Sequence, residues 1–197
     1  MLRAERQDTA ANLVVVTHNH VIRPCIESYP DTRVSVAPQL AELAAAQPTA
    51  DDLVHRDGSR RYVRLLDRAN AAIRLNAVHN DGDELQLWWM LSRVHELAKI
   101  ARRRHPRGPE PLARLARGLL YRHDGFPHDI TRWLDPLDAL RIELVATGMT
   151  WTNADHIVTA ATSPCNATQA TDAQPQHSHR DAQLPAPPAE PERRRVV

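Results

Sequence analysis

Residues 84–104, ELQLWWMLSRVHELAKIARRR, constrain the fold most. Leu87, Leu91, Val94, Ala98 and Ala101 recur at spacings of four and three, so they share one face of a helix. The turn formers His79-Asn80-Asp81-Gly82-Asp83 precede this stretch and offer N-caps. Arg102, Arg103 and Arg104 sit where the helix dipole favours cations, and Pro106 and Gly108 prevent continuation. A helix of that length spans about 31 Å and must bury its stripe against other elements.

The neighbouring sequence supplies a partner. Tyr62, Leu65, Leu66, Ala69, Ile73 and Ala77 form a second helical stripe over residues 60–78, with arginines on the opposite face. Two long helices joined by a tight polar turn make an αα-hairpin. Further helices are expected over 38–47, with proline in the first turn, and over 110–122. Thr49 can cap a short turn over 49–55. Asp57-Gly58-Ser59 reads as a break. Asp135-Pro136 opens a helix ending at Thr147, with Gly148 as its stop, and Asn153 can cap a last helix over 154–161.

The two ends differ from this middle. Asn12-Leu13-Val14-Val15-Val16 is a β-type run, and Val21-Ile22 and Val34-Ser35-Val36 are its possible pairing partners. Pro24, Pro30 and Pro38 cut the region into short pieces. After residue 162, Pro, Ala and Gln dominate and apolar anchors are few, which favours disorder. The expected fold is therefore all-α: a small helical bundle built on a long αα-hairpin. An extended or irregular N-terminal segment (1–37) precedes the helical domain (38–161), and a disordered tail (162–197) follows it. Scarce glycine (6) and a single Phe agree with helices rather than a sheet sandwich.

The chain lacks an apolar run long enough to span a membrane, and its start is a poor signal peptide. Cys25 and Cys165 are far apart and make no disulfide framework, so a reducing cytoplasm is expected. His18-Asn19-His20 with Cys25 has loose metal-ligand spacing but lacks paired cysteines.

Charge is distributed unevenly. Residues 91–123 hold nine basic side chains against two acidic ones, Glu96 and Glu110. Arg93, Lys99, Arg102, Arg103, Arg104 and Arg107 are the candidate contacts to a nucleic-acid backbone, which clustered arginines bind without reading sequence. A solvated helix end facing its own acidic neighbours is the plainer interpretation. Trp88 and Trp89 point about 100° apart on a helix. Trp88 is expected in the core and Trp89 at its boundary, and an exposed Trp89 beside Met90 is an anchor for a protein partner or a second copy of the chain. These features give a non-enzymatic cytoplasmic accessory or regulatory protein without a cofactor.

The alternative is an enzyme. His95, His123-Asp124 and Asp155 follow one another on successive helical segments. This H…HD…D order over residues 93–161 resembles the HD-domain metal-dependent phosphohydrolases. The resemblance implies His95, His123, Asp124 and Asp155 as ligands of a divalent metal ion that activates water against a phosphate ester.

Overall fold

The expected stripe of the long helix is buried, but so is much around it. In the computed structural model, residues 2–28, 37–76, 82–102, 110–121 and 133–163 are described. The elements are α1 (Leu2–Thr17), a π turn (His18–Ile22), α2 (Arg23–Glu27), α3 (Ala37–Ala44), α4 (Ala50–Val54) and α5 (Arg56–Asn76). They continue with α6 (Gly82–Ala101), α7 (Glu110–Leu120), α8 (Pro136–Ala146) and α9 (Trp151–Thr162). The described residues contain no strand, and the fold is all-α. The chain divides into two units, Met1–Thr162 and Ser163–Val197, and every element named belongs to the first. Beyond Ser163 the expected tail lies outside the described residues.

On α6, the stripe Leu87, Leu91, Val94, Ala98 and Ala101 is buried, and Met90 and Leu97 are buried too. The arc is wider than one stripe because α6 packs chiefly against α1, α5 and α7, with smaller contacts to α4 and the π turn. Helix α5 runs antiparallel to it. Ser59 Oγ lies 3.5 Å from the Ala98 carbonyl, and Asp67 lies 2.9 Å from His95, so numbers rise along one helix as they fall along the other. The connection at 77–81 lies outside the described residues.

The N-terminal segment, expected to be extended, is instead helical from Leu2 to Glu27. The physical reason is visible in its burial. Ala10, Ala11, Leu13, Val14, Thr17, His18, Val21 and Ile22 are all buried, and they recur with the helical period. A β-branched residue costs a helix at most about 0.7 kcal/mol. Burying Leu13, Val14, Val21 and Ile22 stabilises the fold by about 1.5–3 kcal/mol each. Packing therefore overrides the local β preference, and α1 becomes the main neighbour of α6. The helical unit starts at the N-terminal end of the chain, not near residue 38.

Local signals behave unevenly. Thr49 caps α4 by accepting the Asp52 N–H at 3.1 Å, and Asp135 caps α8 by accepting the Leu137 N–H at 2.8 Å. Gly148 ends the turn after α8 at φ 102, where a side chain would be strained. Asn153 does not cap α9; that helix starts at Trp151, and Thr150 Oγ1 accepts the Asn153 N–H at 3.3 Å. The Trp151 N–H instead donates to Thr9 Oγ1 at 3.0 Å, which ties α9 back to the middle of α1.

Asp57-Gly58-Ser59 is not a break but the first turn of α5. A Cβ on Gly58 would lie 2.5 Å from the Asp52 carbonyl oxygen, so glycine here permits a close approach of α4 and α5. In an unconstrained helix Gly58→Ala would stabilise by up to about 1 kcal/mol. Here the clash is with backbone, and the expected outcome is a net loss of about 1–3 kcal/mol in urea unfolding. A midpoint equal to or above that of the unmodified protein would contradict the close approach.

Candidate partner-binding surface and the buried histidine

A buried polar centre lies where α1 gives way to the π turn. Pro24 lacks an N–H and would crowd the carbonyl four residues earlier in an ordinary helix. The wider π turn accommodates it, closed by the Arg23 N–H donating to the His18 carbonyl. This turn brings His18 to full burial. Its Nε2 lies 2.9 Å from the Ala46 carbonyl and its Nδ1 lies 2.9 Å from the Tyr62 hydroxyl. A carbonyl can only accept, so Nε2 carries the ring proton, Nδ1 is the acceptor, and the Tyr62 O–H donates to it. The two rings also meet edge-on, with centroids 5.5 Å apart.

Burial depresses the His18 pKa below the ordinary imidazole value; the Ala46 hydrogen bond opposes this, and the Arg23 charge adds to the depression. Burial pushes the Tyr62 hydroxyl pKa well up. From the sequence His18 belongs to the loosely metal-like group and Tyr62 to the inward stripe of α5; the bond between them is not visible there. The available signal was the 3.6-residue period running through His18, which marks it as inward-facing.

The second feature is at the surface. Trp89 lies two positions past Leu87, about 200° around α6, so it points away from the core. Its side chain is 42% exposed, while Trp88 is half-buried and meets it edge-to-face at 5.7 Å. One turn on, the Arg93 guanidinium carbon lies 5.2 Å from the Trp89 ring centroid, within cation–π range. Gly118 of α7 leaves room for it: a Cβ there would be 3.2 Å from Arg93 Nε. The arginine is thus held between an indole and a neighbouring helix.

The other expected contacts are differently placed. The Lys99 Nζ donates to Glu96 Oε1 at 3.0 Å, so its charge is locally balanced. Arg102 is half-buried at the end of α6. Arg103, Arg104 and Arg107 lie outside the described residues, as do His123 and Asp124. His95 Nε2 pairs with Asp67 at 2.9 Å, and its Nδ1 lies 3.7 Å from Glu96. Asp155 accepts from Arg141 Nε at 2.8 Å, and Arg141 also pairs with Asp138 at 2.9 Å. His20, from the loosely metal-like group, pairs with Asp138 at 3.4 Å instead. Among the described residues no group of three or more His, Cys, Asp and Glu is placed to hold a metal ion. Nor is any helix among them long and apolar enough to cross a membrane.

No family model, curated protein or solved structure matches this chain.

The histidine centre makes stability depend on pH in a defined sense. Below about pH 6.5 the unfolded chain binds a proton at His18 that the folded chain resists, so unfolding takes up protons. The His18 contribution is complete above that pH and is lost as pH falls towards the depressed folded value. Urea unfolding at pH 7, 6 and 5 is expected to show a falling midpoint, with a shallower fall in His18→Gln. Tyr62→Phe leaves Nδ1 without its donor and should cost about 1–3 kcal/mol at pH 7. A profile for the unmodified protein no steeper than that of His18→Gln would contradict this picture.

Proposed function

We propose that the chain is a cytoplasmic, non-enzymatic accessory or regulatory protein that binds a protein partner through the Trp89–Arg93 surface. The observation that carries this reading is an exposed indole with a guanidinium braced over it. Trp and Arg dominate binding hot spots, where truncating one costs about 2 kcal/mol or more. Bracing against Trp89 and Gly118 reduces the side-chain freedom that Arg93 would lose on association. The complementary partner surface presents a carboxylate to Arg93 and an apolar side chain to cover Trp89.

A protein partner suits this surface better than a nucleic-acid backbone does. Of the basic group expected here, Lys99 is neutralised by Glu96, and Arg93 lies against an exposed indole that an apolar side chain of a protein can cover. The phosphohydrolase alternative has less support, because His95 and Asp155 each bond a neighbouring charged side chain. Its divalent metal ion would need both released from those pairs.

A peptide-display library selected on the immobilised full chain tests the proposal. Enriched peptides should combine an acidic with an apolar residue. Trp89→Ala and Arg93→Ala should each weaken their binding by about tenfold or more. Peptides that bind Trp89→Ala as tightly as the unmodified protein would overturn the assignment. Self-association abolished by Trp89→Ala would identify a second copy of the chain as the partner.

A further inference from the structure

Helix α5 carries a charged face that the Trp89 surface leaves unused. Tyr62, Val63, Leu66, Ala69 and Ile73 turn inward and are buried. On the outer side Arg56, Arg60, Arg64 and Arg68 follow one another at intervals of four residues, with Arg61 beside them. All are exposed except Arg60, which is half-exposed. Arg68 bonds both oxygens of Glu42, at 2.9 and 2.8 Å. Among the described residues no carboxylate pairs with Arg56, Arg60, Arg61 or Arg64. Of the acids on this helix, Asp67 is committed to His95, and Asp57 sits in the first turn, where the helix dipole favours it.

Like charges four residues apart repel and weaken a helix. This helix tolerates them because its other face is held in the core. We propose that this arginine line binds the phosphate backbone of duplex DNA without reading its sequence.

Three features favour that occupant. The line is Arg throughout, the better phosphate ligand because its planar fork donates in pairs. The face has no aromatic side chain on which unstacked bases could lie, so it is unlike a single-strand platform: the one aromatic of α5, Tyr62, is buried. The one serine of α5, Ser59, is fully buried, so it brings no hydroxyl to this face to meet the 2′-hydroxyls of RNA. A membrane surface would be held by charge alone, because the core already occupies the apolar face of α5. An acidic protein would lack an apolar anchor here, since the exposed large hydrophobics Trp89, Tyr121, Leu137, Leu140 and Ile157 all lie outside α5.

Fluorescence anisotropy of the full chain with a short labelled DNA duplex of mixed sequence tests the proposal. Affinity should fall steeply with salt. The triple variant R56Q/R60Q/R64Q should lose at least about tenfold at low salt, with a salt slope shallower by about 0.9 per guanidinium removed. R56K/R60K/R64K, which keeps the charge, should retain most of the binding, and a thermal midpoint no lower than that of the unmodified protein in both variants excludes misfolding. Trp89→Ala should bind DNA normally, which separates this surface from the partner-binding one. Absent binding at low salt, or an unchanged slope in the Gln variant, would overturn the proposal. Tighter binding to single-stranded DNA, to duplex RNA or to polyglutamate would overturn the choice of occupant.

Discussion

The structure depends on one buried polar arrangement. His18 is removed from water, and both its ring nitrogens must be satisfied inside the protein. The Ala46 carbonyl and the Tyr62 hydroxyl do this from two different parts of the chain. Each bond has one permitted direction, so the pair fixes a single tautomer and a single ring orientation. The π turn before Pro24 delivers the ring to that position. Consequently the end of α1, the segment after α3, and the middle of α5 are located relative to one another by chemistry as well as by packing. From there α1 covers α6, and Thr9 reaches the first amide of α9.

This arrangement explains why the outer faces are free for other work. Helix α6 is buried on most sides, so only positions such as Trp89 and Arg93 face outward. Helix α5 is anchored by Tyr62, Leu66 and Ile73, which lets its outer side carry mutually repelling arginines. Elsewhere polar side chains are paired across elements: His20 with Asp138, Arg141 with Asp155, Asp67 with His95. Those pairs are exposed at one partner or both, and their worth is at most about 1 kcal/mol each. They align helices that the core has already brought together.

Sequence patterns revealed the all-α architecture and much of its punctuation. The stripe on α6, the inward face of α5, the Thr49 and Asp135 caps and the Gly148 stop all follow from short-range chemistry. Helix α1 did not, because a run of three valines looks like a strand in a window of five residues. In a window of thirteen, from Ala10 to Ile22, the same residues follow the helical period. Gly58 was misread for a related reason. Its role is set by Asp52 of another helix, which no local pattern records. The Trp89 surface was partly visible, since adjacent tryptophans cannot share one narrow face. The brace from Gly118 required the tertiary arrangement.

Native-state hydrogen exchange of the backbone amides tests the central claim, that α1 and its π turn belong to the cooperative core. The amides of Leu13, Val14 and His18 should exchange only through global unfolding, with the same free energy as those of Leu91 and Val94 on α6. Exchange of the α1 amides by local opening, at markedly lower free energy than the α6 amides, would contradict it.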